Sequence, residues 1–181
     1  MQIAVHSGDL TKAKVDLIVL GVFSGKATRG AEFKALDKAL KGALSAAVKD
    51  EDFKGGKGQK LTVTTLGAIP AKRVSLAGIG SESEISRTVF ELAGRAVRMG
   101  NAVAAKQVLA VLPKTIAELT SVMELVGRGG SLGQYRFDQF LSEKGRKPSV
   151  NKLHVDLGEN GNASAAMKNA VKKGETVAAG V

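Results

Sequence analysis

The chain has 181 residues, no cysteine, two histidines and no tryptophan, and its 27 Lys and Arg against 17 Asp and Glu give a formal net charge of +10. The lack of Cys excludes a disulfide framework, a thiolate nucleophile and cysteine-ligated zinc or iron–sulfur centres. With only His6 and His154 available, sites built from three histidines and the H-E-x-x-H zinc motif are excluded too. The length suits one domain with a sizeable core, with or without an appendage.

The termini and the apolar segments carry no sign of export or membrane insertion. No basic stretch leads into an apolar run at the N-terminus, so a signal peptide is not expected. The longest uncharged stretches are too short, or too interrupted by Gly and Pro, to span a bilayer. We therefore expect a cytoplasmic protein.

The net charge raises the possibility of a nucleic-acid partner. The basic excess is spread evenly along the chain, and aromatic residues, which such modules use for stacking, make up only 4% of it. The pattern favours a solvated basic surface, with DNA binding as an alternative. The densest basic clusters are Lys144, Arg146 and Lys147, then Lys172 and Lys173.

The first third of the chain predicts two strands and one long helix. Weak alternation over Met1–Val5 and an apolar run over Asp16–Val22 indicate strands. Over Ala31–Val48, apolar residues recur at spacings of three and four, which predicts a helix. On it, Asp37 and Lys41 are spaced to form a favourable pair one turn apart.

A hairpin and a second helix follow. The Gly- and Lys-rich segment 50–60 predicts a turn, and Lys60–Leu66 and Arg73–Ile79 read as strands. These two strands are too close in sequence for a helical crossover, so we expect an antiparallel hairpin. The next helix is predicted over Ser83–Met99, with Ser81 or Ser83 as its cap.

The last third predicts two strands and two helices. Strands are expected over Gln107–Leu112 and Lys152–Leu157, and a closing helix over Ser164–Ala179. Between the strands, Thr115 and Glu118 form a plausible capping box for a helix. Four glycines follow in that helix and predict either a break or close packing: Gly127, Gly129, Gly130 and Gly133. The order β β α β β α β α β α indicates an α/β domain, with helices on both faces of a mixed sheet.

Candidate sites for chemistry are few. Gly80-Ser81 lies where a strand meets a helix start, a generic anion-binding position, although a turn glycine explains it better. Arg128 with its flanking glycines does not follow a strand, which favours close packing over a phosphate loop. His6 and His154 have no acidic residue at a useful helical spacing, so neither is favoured as a metal ligand. The acidic run at 50–52 is typical of a solvated turn.

No G-x-S-x-G elbow is present, so Ser-His-Asp catalysis has no support. The residues taken together assign no catalytic, cofactor-binding or metal-binding residue. This negative result favours an accessory domain.

Six segments in register resemble one family. Their set and order are similar to the N-terminal domain of the leucyl aminopeptidase (cytosol aminopeptidase) family over about Met1–Leu157. The segments are Asp16–Phe23, Leu36–Ser45, Asp52–Gly55, Thr65–Gly67, Ile69–Val74 running into Ala77–Gly80, and Tyr135–Asp138.

The resemblance implies a three-layer, macro-domain-like fold and a longer parent enzyme. Such a parent removes N-terminal residues, leucine among them, with two divalent metals (Zn or Mn), and usually assembles as a homo-hexamer. In the family, the metal ligands and the N-T-D-A-E-G-R-L motif lie in the C-terminal domain, so no catalytic residue carries over. Only Gly78–Ser81 matches a macro-domain glycine loop, so ligand binding is not inherited from the fold.

We therefore expect a macro-like domain over 1–160, and over 161–181 a helix that leads toward a catalytic domain. The expected role is structural, assembly-related or regulatory. The alternatives are a basic DNA-binding module and a nucleotide or ADP-ribose binder of the macro-domain type.

Overall fold

The computed structural model describes residues 1–81, 85–113, 119–134, 149–156 and 165–179. Within these ranges the chain forms six strands and five α-helices. The strands are β1 (Gln2–His6), β2 (Leu17–Phe23), β3 (Lys60–Thr64), β4 (Arg73–Gly80), β5 (Gln107–Val111) and β6 (Lys152–Asp156). The helices are α1 (Ala31–Ala39), α2 (Ala43–Asp50), α3 (Ile85–Ala102), α4 (Leu119–Gly133) and α5 (Ala165–Ala179).

The strands form one mixed sheet in the order β1-β6-β5-β2-β4-β3. All neighbouring pairs are parallel except β3 and β4, which form the predicted antiparallel hairpin with Leu61 opposite Leu76. The predicted α/β class with a mixed sheet flanked by helices is confirmed.

Each face of the sheet is covered by its own helices. Strand β2 alternates between them: Leu17 and Val19 face α3 and α4, whereas Ile18 and Leu20 face α1 and α2. All four side chains are buried. This alternation explains why β2 has no polar face in sequence, since a parallel strand between two helical layers is buried on both sides.

The helix predicted over Ala31–Val48 is wrong as a single element. Helix α1 ends at Ala39, Gly42 has φ 87°, and α2 begins at Ala43. A left-handed residue interrupts the helical hydrogen-bond ladder, and glycine adopts it without steric cost.

The predicted Asp37–Lys41 helical pair is also wrong. Lys41 lies beyond the end of α1 and has φ 53°. The Asp37 carboxylate instead accepts hydrogen bonds from Ser45, one from its backbone N–H at 2.9 Å and one from its hydroxyl. Asp37 therefore ties the start of α2 to α1.

The four glycines predicted to break or tighten a helix lie inside a continuous α4. A Cβ added at Gly129 would overlap the carbonyl oxygen of Phe90, and one at Gly133 would lie 2.6 Å from the oxygen of Gly94. On another side of α4, a Cβ at Gly127 would lie 2.5 Å from the oxygen of Val171. The close-packing interpretation is confirmed, and the phosphate-loop alternative for Gly127–Gly130 is wrong.

Smaller differences concern element ends. The strand predicted over Lys60–Leu66 ends at Thr64, and Leu66 lies in a turn. A short 3-10 helix over Leu10–Lys12, capped by Asp9, was not predicted. The capping box Thr115/Glu118, the cap Ser83, the segment Tyr135–Asp138 and the cluster Lys144, Arg146 and Lys147 lie outside the described residues.

Candidate functional site

The sheet reverses its winding direction between β2 and β5. The chain passes from β2 to β4 on one side, then returns to β5 on the other side of β2. In open α/β sheets, ligands bind in the crevice outside the carboxyl ends of the strands at such a point. A cavity of about 300 Å³ lies there. Its lining comes from the end of β2, the segment Lys26–Phe33 and, after β5, Leu112 and Pro113.

The floor of this crevice depends on Gly21 in β2. A Cβ at that position would lie 2.5 Å from Leu92 Cδ2 of α3 and 3.5 Å from Pro113. The missing side chain lets α3 and the end of β5 approach β2 closely. Gly21 therefore leaves room for the side chains of Leu92 and Pro113 beside β2, a contact that alternation in the sequence does not reveal.

The start of α1 lines one wall of the crevice. Gly30 is the N-cap and gives no side-chain hydrogen bond to the helix. A helix start with unpaired N–H groups attracts negative charge. Glu32, in the first turn, places its Oε2 3.5 Å from where a Cβ at Gly30 would lie. The helix start therefore already has a carboxylate beside it, which opposes a second anion there.

The charged side chains of the lining are Lys26, Arg29 and Glu32, and the rest is mainly apolar. Lys26 and Glu32 are both engaged in polar interactions within the chain. Glu32 supplies the one carboxylate among the described lining residues, and Lys26 and Arg29 supply the cations.

The end of β4, which leads into Gly80-Ser81, makes hydrogen bonds and packing contacts with the loop 54–59. The N–H of Gly78 donates to Gln59 O at 2.9 Å, and the N–H of Gly80 donates to Gly55 O at 3.1 Å. A Cβ at Gly78 would overlap Gly56 O, so the loop 54–59 packs directly on β4. Arg95 closes this loop by donating to the carbonyls of Gly78 and Gln59. The N–H groups of Gly78 and Gly80 are therefore used within the chain, as expected if the glycines serve the turn rather than an anion site.

The two histidines lie near each other on β1 and β6. Parallel pairing sets His6 beside Asp156, with His6 Nε2 4.0 Å from Asp156 Oδ2. That Nε2 atom is buried without a hydrogen bond, while Asp156 has other polar contacts. His154 Nε2 lies 3.1 Å from Gln107 Oε1. Burial, then Lys152 and His6, lower the pKa of His154.

Local sequence patterns do not predict that His6 and Asp156 are neighbours, because the two residues are 150 positions apart and only the register of β1 against β6 brings them together. Within the described ranges, no group of three or more His, Cys, Asp or Glu is placed to hold a metal ion. Of the acidic run 50–52, Asp50 ends α2, whereas Glu51 and Asp52 form the exposed turn after it, in which Asp52 pairs with Lys54 at 2.8 Å.

Of the predicted basic clusters, Lys172 and Lys173 lie exposed on α5. Lys173 Nζ is 3.0 Å from Glu124 Oε2 of α4, so one of the two charges is paired. Within the described parts of the chain, no helix combines the length and apolar character that crossing a bilayer requires.

Solved structures place the fold in a known class. An Oceanobacillus iheyensis macrodomain mutant with ADPR superposes with a TM-score of 0.64 at 12% identity, over 97% of this chain and 91% of that one. A tomato leucine aminopeptidase mutant superposes with a TM-score of 0.83 at 23% identity, over 99% of this chain and 36% of that one. At these identities the likeness establishes the fold: a macrodomain-like α/β domain.

Sequence comparison then gives the family. The model of the cytosol aminopeptidase family, N-terminal domain, matches residues 19–144. A probable cytosol aminopeptidase of Nitrosomonas eutropha is 33% identical over 187 residues, covering 100% of this chain and 37% of that protein. The chain belongs to the cytosol aminopeptidase family, in which it corresponds to the N-terminal domain. It spans little more than a third of the length of the curated relatives it matches.

Proposed function

We propose that this chain is the non-catalytic N-terminal domain of a cytosolic leucyl aminopeptidase, with a structural, assembly or regulatory role. The longer protein would release N-terminal residues such as leucine from peptides. The observation that supports this is the match to the N-terminal domain together with coverage of only 37% of the relatives. Residues 1–160 would form the domain, and 161–181 the helix that leads toward the catalytic part.

In this proposal the metal ions bind to the catalytic part of the longer protein and not to this chain. The described residues do not form a ligand cluster of the kind that two divalent ions need. We assign the two expected ions, Zn or Mn, to the catalytic part of the longer protein. This chain would supply surface for that part and for neighbouring subunits of a homo-hexamer in the cytoplasm.

The test is hydrolysis of leucine p-nitroanilide with Mn²⁺ or Zn²⁺. We expect no turnover from the purified 181-residue chain and metal-dependent turnover from a polypeptide that continues beyond Val181. Cooperative thermal unfolding of the shorter chain is the control that it is folded. Turnover by the 181-residue chain alone would refute the proposal.

The crevice between β2 and β5 supports a second candidate, a nucleotide or ADP-ribose binder. It lies at the position where open α/β sheets bind ligands, and the similar macrodomain was solved with ADPR. Glu32 beside the start of α1 counts against a bound phosphate. Calorimetric titration with ADP-ribose tests it: if binding occurs, Glu32→Gln should tighten it, and a flat titration for both proteins removes the candidate.

DNA binding rests on the +10 charge and on the basic clusters, of which Lys172 is exposed on α5. Phosphate-dominated binding weakens steeply as salt rises. Retardation of duplex DNA at 50 mM salt that is lost at 200 mM would support this candidate, and no retardation at 50 mM removes it.

A further inference from the structure

The first strand leaves one side of the sheet open. Among the described strands, β1 lies at the edge and pairs with β6 alone. The N–H of Gln2 donates to Asn151 O at 2.8 Å, on the β6 side, and successive residues of a strand direct their N–H and C=O groups to alternate sides. The backbone groups of Ile3 and Val5 therefore point away from the sheet. Unpaired backbone groups at an edge are available to another polypeptide segment, and proteins commonly cover them.

A groove of about 550 Å³ runs along this open edge. It lies between β1 and α5, and its lining is mainly apolar: Met1, Gln2, Ile3, Ala4, Val5, Val171, Lys172 and Glu175. Neighbouring side chains of a strand lie on opposite faces, so a groove lined by all of residues 1–5 includes the backbone edge itself. A groove between an edge strand and a helix suits a polypeptide segment, which can meet the edge with its backbone and the apolar lining with its side chains.

The course of the chain leads to this edge. Helix α3 connects β4 to β5 and α4 connects β5 to β6, and each step moves toward the β1 edge. Both helices cover the same face of the sheet. Helix α5 follows β6 and packs beside α4 on that face, where a Cβ at Gly127 would lie 2.5 Å from Val171 O. Connections of one hand on one face advance in one direction, so the next step after α5 carries the chain to the open side of β1.

Helix α5 ends beside the same strand. Val171 lies in a buried cluster against which Ile3 and Val5 pack. One turn later, Glu175 lies close enough to the Met1 amino group to feel its charge. The helix thus runs along β1 toward the start of that strand, in the same layer and at the same edge as the groove.

We infer that the polypeptide that continues from α5 in the longer family members packs into this groove and shields the open edge of β1. The inference rests on the proposed function, because it needs that continuation. The relatives extend well beyond the part that this chain covers, and in an N-terminal domain the remainder follows the C-terminal end. Covering the groove would remove from water an apolar surface that the domain alone leaves open.

The first experiment measures thiol labelling. The chain has no cysteine, so Gln2→Cys adds one thiol in the groove. Thr64→Cys is the matched control, because Thr64 is exposed on β3, the edge strand at the opposite side of the sheet. Labelling by a maleimide, located by peptide mass spectrometry, should be at least about tenfold slower at position 2 in a polypeptide that continues beyond Val181 than in the 181-residue chain. At position 64 the two rates should be equal, and equal slowing at both positions would overturn the inference.

The second experiment uses no substitution and follows hydrogen exchange at single amides. The outward-pointing amides of Ile3 and Val5 should exchange quickly in the 181-residue chain and at least about tenfold more slowly in the longer polypeptide. The amide of Ala4 points toward β6, so it is the internal control and should be protected in both proteins. Fast exchange of Ile3 and Val5 in both proteins would show that the edge stays uncovered, and the inference would be wrong.

The inference and the proposed function can fail separately. If the longer polypeptide hydrolyses leucine p-nitroanilide with metal but position 2 labels equally fast in both proteins, the inference is refuted and the proposed function stands. If position 2 is protected but the longer polypeptide has no metal-dependent activity, the proposed function fails and the contact stands. If position 2 is protected already in the 181-residue chain at high concentration, and sedimentation shows a dimer, the occupant is a second copy and the inference is wrong.

Discussion

Both helical layers pack on the sheet through buried apolar side chains, but within the two layers the helices meet each other differently. On one face, α1 and α2 place bulky side chains between helix and sheet, with Phe33, Leu36 and Leu44 almost fully buried. On the other face, α3, α4 and α5 meet through glycines, so that backbones touch at Gly94, Gly129 and Gly174. Side chains such as Leu92 and Met123 fill volume in the second layer too, but its helices depend on missing side chains where they meet each other. We therefore expect added volume to be tolerated least at those glycines.

The largest effect is expected from removing volume in the first layer. Leu36 of α1 is fully buried, and Leu36→Ala removes apolar contacts and leaves a cavity. We expect a loss of about 2–5 kcal/mol in the free energy of unfolding, measured by urea denaturation. Leu36→Met, which conserves volume, should cost less than about 1.5 kcal/mol. Equal losses for the two variants would mean that this layer is not held by filled volume.

The second layer should be sensitive to added volume. In an open helix, Gly→Ala stabilises by about 1 kcal/mol through helix propensity. At Gly129 the added methyl group would meet the backbone oxygen of Phe90, which cannot rotate away. We expect Gly129→Ala to destabilise by about 1–3 kcal/mol in spite of that gain.

Gly30→Ala is the matched control for this substitution. Its φ of −64° suits alanine, and its nearest neighbour is the mobile end of the Glu32 side chain at 3.5 Å. It should change stability by no more than about 1 kcal/mol. A Gly129→Ala protein as stable as the unsubstituted chain would show that α3 and α4 are not in backbone contact.

The sequence predicted the sheet well because burial on both sides leaves a local signal. Apolar runs such as Asp16–Val22 need no partner to be recognised as strands. The break at Gly42 was missed because Leu36, Leu40 and Leu44 keep helical spacing across it. Gly42 was the only local signal for a helix break, and a single glycine is a weak signal beside unbroken apolar periodicity.

Local sequence patterns could not predict the crevice or the His6–Asp156 pair, because both bring together residues that are far apart in the sequence. The crevice brings together residues as far apart in the sequence as Phe23 and Pro113. The histidine pair depends on the register between the first and last strands. Both are consequences of topology, which no window along the chain contains.

The third prediction concerns Asp16, which lies immediately before β2 at the amino ends of the parallel strands. Its carboxylate accepts hydrogen bonds from Lys72 Nζ at 2.8 Å and from the backbone N–H groups of Lys106 and Gln107 at 2.9 and 3.1 Å. It thus joins β2 to the segments before β4 and β5. Burial pushes the pKa of Asp16 upward, but the bonds from Lys72, Gln107 and Lys106 outweigh it, so the pKa is lowered.

Because the folded-state pKa is lowered, the stabilisation is present above the unfolded-state value near 3.8 and is lost as the pH falls through the lower folded value. Asp16→Asn should therefore cost about 1–3 kcal/mol at pH 7 and weaken the acid dependence of unfolding below about pH 4. Lys72→Met removes only the exposed ion pair and should cost at most about 1 kcal/mol. If Lys72→Met cost as much as Asp16→Asn, the ion pair with Lys72 rather than the bonds from the Lys106 and Gln107 N–H groups would join the strands.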